Sequence, residues 1–257
     1  MLETKKQNQQ WEQYWSDTRA IARSSLEDAS SVWDTGLDAG ADLDVPRFRH
    51  HFDCNLPLLD AGCGSGTQTV RLAQYFPKVI GTDVSASAIA LAASINSAPN
   101  LSYEVLDVLN LPDAQHFHAR FGDLNLYVRT VVHQIDPEDR PILGQTLQTL
   151  MGRSGALYML ELGPRSPAYF EEWISTNGTP HKLARVMSAG LRPRPVGRPD
   201  VDTMFPSEKY EVRMDGEAIM PGPHMSTAKL DAEGRPEGAP WAPPMYCAVV
   251  VPRNPTT

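Results

Sequence analysis

The stretch LLDAGCGSGT, residues 58–67, decides the fold. An apolar strand runs into Asp60, three glycines follow at alternate positions, and a helix is predicted from Thr67. Those glycines are Gly62, Gly64 and Gly66. Because glycine has no side chain, such a turn can bend tightly and approach a ligand beside the free N–H groups of the helix start. The spacing is G-x-G-x-G rather than the G-x-G-x-x-G of dinucleotide sites, which argues against a pyrophosphate ligand.

Strands and helices alternate on the carboxyl side of this turn. Short apolar segments predict strands near residues 56–59, 79–82, 101–106, 124–128 and 156–162, with helical spacing between them. Such alternation implies a parallel sheet with helices on both faces. Two further strands are predicted at 209–220 and 244–251, and they are separated by a long proline-rich connection. The sequence predicts no role for that connection, residues 221–244.

The segment before the turn is predicted to be helical. Mostly apolar side chains recur at helical spacing from Trp11 to Trp33, which predicts one amphipathic helix. Asp42 or Asp44 is then expected to cap a short second helix. These helices would cover one side of the sheet.

Composition narrows the classes of function. The chain has 257 residues with 23 basic and 31 acidic side chains, giving a net charge of −8, which argues against a nucleic-acid partner. Apolar runs are too short for a signal peptide or a membrane helix, so we expect a cytoplasmic protein without a membrane partner. The three cysteines have no metal-ligand spacing and are expected to be reduced thiols. No metal site is predicted.

The glycine turn and its surroundings resemble the class I S-adenosylmethionine-dependent methyltransferases, whose first motif is an acid, one residue and then G-x-G-x-G. Asp83 ends the second strand where the family has an acid, and the pair Asp107 and Val108 follows the third. Residues 122–137 resemble the fourth-strand motif. The resemblance spans roughly residues 56–162 and implies a Rossmann-like α/β fold with a seven-stranded sheet, helices on both faces and a terminal antiparallel hairpin.

The resemblance implies that the cofactor is S-adenosylmethionine. It places Asp83 at the ribose hydroxyls, Val84 against adenine, and Asp107 at the adenine amino group. Charge-assisted hydrogen bonds of a carboxylate to a diol are stronger than neutral ones. The expected cofactor-binding residues are Asp60, Gly62, Gly64, Gly66, Thr67, Asp83, Val84, Ser85, Asp107, Val108, Val128 and Arg129.

The start of the chain, Trp11 to Trp15, is similar to the lid helix of small-molecule methyltransferases of the thiopurine type. We therefore expect residues 1–52 to form a helical lid and residues 53–257 to form the core. Aromatic side chains are expected either to line the substrate site or only to pack the helices against the sheet. They are Trp11, Tyr14, Trp15, Tyr127, Tyr169 and Trp173.

Methyl transfer needs a base when the acceptor must lose a proton. His133 follows the fourth strand, near the expected methyl donor, and histidine titrates near neutrality, so it is the candidate base. The alternative is a buried histidine that packs under the following helix.

The predicted function is methyl transfer to a small molecule, on oxygen, nitrogen, carbon or sulfur. Two alternatives stay open: methylation of nucleic acid or protein, and a protein that binds S-adenosylmethionine without transferring its methyl group. The identity of the acceptor and the oligomeric state are not predicted.

Overall fold

A seven-stranded sheet organises the computed structural model, which describes residues 2–22, 31–34, 40–220, 225–230, 236–239 and 241–253. The strands are β1 (Leu58–Ala61), β2 (Val79–Asp83), β3 (Leu101–Val105), β4 (Asn125–Arg129), β5 (Leu157–Leu162), β6 (Tyr210–Ile219), β7 (Met225–Leu230), β8 (Pro236–Ala239) and β9 (Pro244–Pro252). The order in the large sheet is β3-β2-β1-β4-β5-β9-β6. Strands β1 to β5 are parallel, and β9 pairs antiparallel with β5 and β6, so the predicted fold is confirmed.

Helices cover both faces of this sheet. On one side lie α1 (Leu2–Ala22), α2 (Ala41–Phe48), α3 (Thr67–Leu72), α4 (Ala86–Ile95), α7 (Ser166–Asn177) and α8 (His181–Ser188). On the other lie α5 (Leu111–Phe121), α6 (Arg140–Met151) and α9 (Arg198–Met204). Successive strand residues point to opposite faces, so Leu58 and Tyr127 join the first core while Leu59 and Leu126 join the second. The strands β1, β2, β4 and β5 are buried along their whole length and are mostly apolar, whereas the edge strands β3 and β6 carry exposed polar residues.

The strand order fixes where a ligand can bind. The chain runs outward from β1 through β2 to β3, then returns to place β4 on the other side of β1. In open parallel sheets, ligands bind at the carboxyl ends of the strands beside such a reversal. The glycine turn follows β1 at that point.

The chain before β1 differs from the prediction in its details. Helix α1 ends at Ala22, and Trp33 lies in a turn instead of continuing the helix. The rest of the predicted helix, residues 23–30, lies outside the described residues. Gly40, not Asp42 or Asp44, precedes the first residue of α2. Both aspartates lie inside that helix, where their carboxylates bond to side chains of other elements.

The proline-rich connection also differs from the expected loop. Within the described residues it contains β7 and β8, which pair antiparallel as a separate two-stranded sheet. Every helix among the described residues is too short or too polar to cross a lipid bilayer.

Candidate active site

A cavity opens at the carboxyl ends of β1 and β4, underneath α1. It brings together eleven of the residues predicted from sequence. They are Trp11, Trp15, Asp60, Gly62, Gly64, Asp83, Val84, Asp107, Val108, Tyr127 and Arg129. These residues come from α1 and from the ends of four strands, so the fold assembles them from distant parts of the chain.

Eight other predicted residues lie outside the lining: Gly66, Thr67, Ser85, Val128, Tyr14, Tyr169, Trp173 and His133. Gly66 and Thr67 begin α3, while the Ser85 hydroxyl accepts the Ala88 N–H and so caps α4. Val128 and Tyr14 are packed in the cores. Tyr169 and Trp173 pack against the Trp241 ring and lie outside the cavity lining.

The glycine turn is held closely by the helix above it. Gly64 has a φ of +52°, a left-handed conformation that strains residues with a side chain. A Cβ atom there would also lie 2.6 Å from the Trp15 ring. Gly62 has a φ of +74°, and its Cβ would lie 2.4 Å from Val131. Glycine at these two positions therefore lets α1 and the segment after β4 close over the turn.

Asp83 holds the turn from below. Its Oδ2 accepts the Gly64 N–H at 3.1 Å, and its Oδ1 accepts the Ser85 N–H at 2.9 Å. Burial raises the pKa of Asp83 to about 6, although these two backbone bonds counteract the effect. Each carboxylate oxygen has a second lone pair available for a ligand.

Asp60 is the most deeply buried carboxylate in the cavity wall. It accepts the Thr69 hydroxyl at 2.6 Å, and burial raises its pKa to about 7. The Thr69 bond and the positive charge of Arg129 lower that pKa only in part. A cation bound next to Asp60 would favour its ionised form.

Helix α1 is bonded to both ends of the cavity wall. The Gln7 side chain donates to the carbonyl oxygen of Gln134, and the Asn8 amide donates to Asp107 at 2.8 Å. One turn further along, the Glu12 carboxylate accepts hydrogen bonds from Ser85 and Ser87 at the start of α4. These contacts place α1 as a roof, which is the position expected for a lid.

Arg129 is the one cationic side chain in the lining among the described residues. It donates to the Trp33 carbonyl oxygen at 2.8 Å and lies 3.5 Å from Asp44. Asp44 also accepts the hydroxyls of Tyr127 at 2.7 Å and Tyr158 at 2.9 Å. This buried cluster ties α2 to β4 and β5 and fixes Arg129 in the cavity wall.

The prediction that His133 is a base is corrected by its surroundings. Its side chain is completely buried, its Nδ1 lies 2.7 Å from Glu161 Oε2, and its Nε2 lies 2.7 Å from the Gln134 amide nitrogen. Both ring nitrogens are therefore occupied, and neither faces the cavity. The buried-histidine alternative describes this residue.

Several lining residues were missed from sequence. Gln7 and Asn8 share the helical face of Trp11 and Trp15, so extending that periodicity by one turn would have found them. Other missed residues include Ser31, Trp33, Asp34, Gln68, Gln134 and Ile135. Asp34 accepts the Ser65 hydroxyl at 2.8 Å, so a segment without a motif contacts the glycine turn.

The fold and the glycine turn define a class of nucleoside-binding α/β enzymes, and the comparison with a solved structure identifies the family. Residues 58–155 match the family model of a methyltransferase domain. The crystal structure of an S-adenosylmethionine-dependent methyltransferase from Anabaena variabilis ATCC 29413 aligns with a TM-score of 0.82 at 37% identity, covering 96% of this chain and 95% of that one. The chain therefore belongs to the S-adenosylmethionine-dependent methyltransferases.

Two further similarities are more limited, the first in the length of the match and the second in sequence identity. The trans-aconitate 2-methyltransferase of Deinococcus radiodurans is 45% identical over 56 residues, a match that spans 21% of this chain and 21% of that protein. A magnesium protoporphyrin IX methyltransferase from Synechocystis PCC 6803, crystallised with S-adenosylhomocysteine, shares 15% identity and a TM-score of 0.51 over 81% of this chain and 80% of that one. The second similarity concerns the fold alone.

Proposed function

We propose that this S-adenosylmethionine-dependent methyltransferase acts on a small-molecule acceptor, which binds in the cavity beneath α1. The observation that carries the proposal is the roof: Gln7 bonds to Gln134 and Asn8 bonds to Asp107, on opposite walls. A concave site covered by a helix and lined by apolar side chains with a few polar groups is typical of small-molecule sites. The Deinococcus relative, whose name specifies a small-molecule acceptor, agrees with this class.

The cavity fits the family's cofactor in shape and in charge. Gly62 and Gly64 leave a concave surface that a Cβ atom would fill. Asp83 and Asp107 offer acceptor oxygens to hydroxyl and amino groups, and Val84 lines the same region. We assign these five residues to the nucleoside half of the cofactor.

The methionine half is assigned to Asp60 and Arg129, whose opposite charges suit an ammonium and a carboxylate. When bound, S-adenosylmethionine supplies a methyl group on a sulfonium that leaves as a thioether. Because His133 is buried and bonded on both nitrogens, we propose that the protein accelerates transfer by positioning the acceptor and excluding water.

The charge of the cavity opposes a nucleic-acid acceptor. Four carboxylates line it, Asp34, Asp60, Asp83 and Asp107, against the single cation Arg129 among the described residues. The phosphate groups of a nucleic acid would meet a repulsive field at the entrance.

The division of the chain is also a proposal: residues 1–52 act as the lid and residues 53–257 as the core of one domain. Its support is that Trp15 and Phe48 belong to the same apolar core as the sheet residues Leu58 and Tyr158. A protein lacking α1 should consequently lose cofactor affinity and also expose apolar surface.

The experiment is transfer from methyl-labelled S-adenosylmethionine to fractions of a cell extract. We expect label in the small-molecule fraction and none in tRNA or protein. An Asp83→Ala variant, impaired at the assigned ribose contact, is the control. Label that enters only macromolecules, or no transfer to any fraction, would contradict the proposal.

A further inference from the structure

Glu161, which lies outside the cavity lining, holds the segment after β4 in place. It is completely buried in β5. Its carboxylate accepts the backbone N–H groups of Val131 and Val132 at 3.0 Å each and that of His133 at 3.1 Å. His133 Nδ1 lies 2.7 Å from the same carboxylate. Since an ionised carboxylate only accepts hydrogen bonds, Nδ1 carries a hydrogen and donates it.

This arrangement fixes the side chain of Gln134. The Gln134 amide nitrogen lies 2.7 Å from His133 Nε2. The amide orientation is thereby set, and its oxygen Oε1 lies on the other branch. Gln134 lines the cavity, yet Oε1 is buried and has no hydrogen-bond partner among the described residues.

A second unpartnered atom lies in the same wall. Trp33 is 4% exposed, packs edge-on against His133 with ring centres 4.8 Å apart, and lines the cavity. Its indole Nε1 is buried without a partner among the described residues. Buried polar atoms are nearly always hydrogen-bonded, and leaving one unpaired is costly. Among the residues that the structure describes, Gln134 Oε1 lacks a hydrogen-bond donor and Trp33 Nε1 lacks an acceptor, and both residues line the same cavity. Together they indicate a ligand that supplies one donor and one acceptor.

We propose that Gln134 Oε1 and Trp33 Nε1 recognise the methyl acceptor, which is an uncharged molecule with a hydroxyl or amide group; this inference rests on the proposed small-molecule function. A hydroxyl or a primary amide donates to Oε1 and accepts from the indole N–H. A carboxylate could accept from the indole but would face Gln134 Oε1 without a hydrogen to donate. Arg129, which could neutralise it, is engaged by Trp33 and Asp44.

The test compares benzamide and benzyl alcohol with benzoate, which has the shape of benzamide but carries a charge. Binding to protein saturated with S-adenosylhomocysteine is followed by ligand-observed NMR titration. We expect the two neutral probes to bind at least about tenfold more tightly than benzoate. Gln134→Met and Trp33→Phe should each weaken benzamide about tenfold, which corresponds to the loss of one hydrogen bond. Affinity for S-adenosylhomocysteine should stay within about twofold.

Trp241→Phe is the matched control, because the buried indole nitrogen of Trp241 also has no hydrogen-bond partner within the described part of the chain, while Trp241 lies outside the cavity lining. The Trp241→Phe variant should bind the probes as the wild type does. If Gln134→Met does not fold, Trp33→Phe serves as the test. Benzoate binding as tight as benzamide, no binding of either neutral probe, or variants that bind them normally would overturn the inference. Labelled transfer to anionic small molecules alone would overturn it while leaving the proposed function intact, whereas transfer to macromolecules alone would remove the proposed function.

Discussion

Replacing Asp83 with asparagine tests the nucleoside half of the assigned site. Both carboxylate oxygens already accept backbone hydrogen bonds, from Gly64 at 3.1 Å and from Ser85 at 2.9 Å. An asparagine side chain has only one accepting branch, so one backbone N–H would face an NH₂ group. The substitution also removes the negative charge that the ribose hydroxyls would meet. Hydrogen bonds to charged groups contribute about 1.5–3 kcal/mol each, so we expect affinity for S-adenosylhomocysteine to fall roughly 10- to 150-fold.

Isothermal titration calorimetry at pH 8 is the appropriate assay. The pKa of Asp83 is about 6, so its carboxylate is ionised at pH 8 in the wild type. Protonation of Asp83 therefore does not affect the comparison of the two affinities.

Asp123→Asn is the control for removing a carboxylate charge elsewhere in the protein. Asp123 accepts the backbone N–H groups of Arg153 at 3.0 Å and Ser154 at 2.9 Å through one oxygen, Oδ2, and it lies outside the cavity lining. Its variant can keep both backbone bonds and should keep its affinity for S-adenosylhomocysteine. If folded Asp83→Asn protein binds S-adenosylhomocysteine within about twofold of wild type, the assignment of Asp83 to the cofactor is wrong.

Two further predictions concern the buried acid and the lid. Burial raises the pKa of Asp60 from 3.8 to about 7, so its contribution to stability is present below about pH 4 and is lost as the pH rises to 7. The unfolding free energy of cofactor-free wild type, relative to Asp60→Asn, should therefore be lower at pH 8 than at pH 5 in urea denaturation; equal differences would contradict this. Glu12→Ala removes the bonds to Ser85 and Ser87 and should speed release of S-adenosylhomocysteine about tenfold in stopped flow. Gln13→Ala, on the exposed face of α1, should not, and equal release rates in the two variants would count against a lid.

The nucleoside half of the site could be predicted because its determinants are local in sequence. Gly62 and Gly64 follow β1 directly, and their spacing alone specifies a turn that only glycine forms easily. Asp83 ends β2, and parallel strands bring their carboxyl ends to one edge. The turn and the acid thus follow from patterns of a few residues. The helix boundary before β1 was predicted less well, since Trp33 continues a helical spacing but packs in a turn against His133.

The other contacts around the cavity could not be predicted because they join residues that are far apart in sequence. Aspartate is a residue type typical of helix caps, yet the Asp44 carboxylate accepts hydrogen bonds from Tyr127 and Tyr158, which are 83 and 114 residues away. Glu161 was the detectable signal. An acid inside the apolar strand LYMLEL must find donors, because burying an unpaired carboxylate costs several kcal/mol. The sequence indicates that Glu161 needs hydrogen-bond donors, but it does not show which residues supply them. Here they are the backbone that precedes Gln134, and for this reason a residue outside the cavity determines which atom of Gln134 an acceptor would meet.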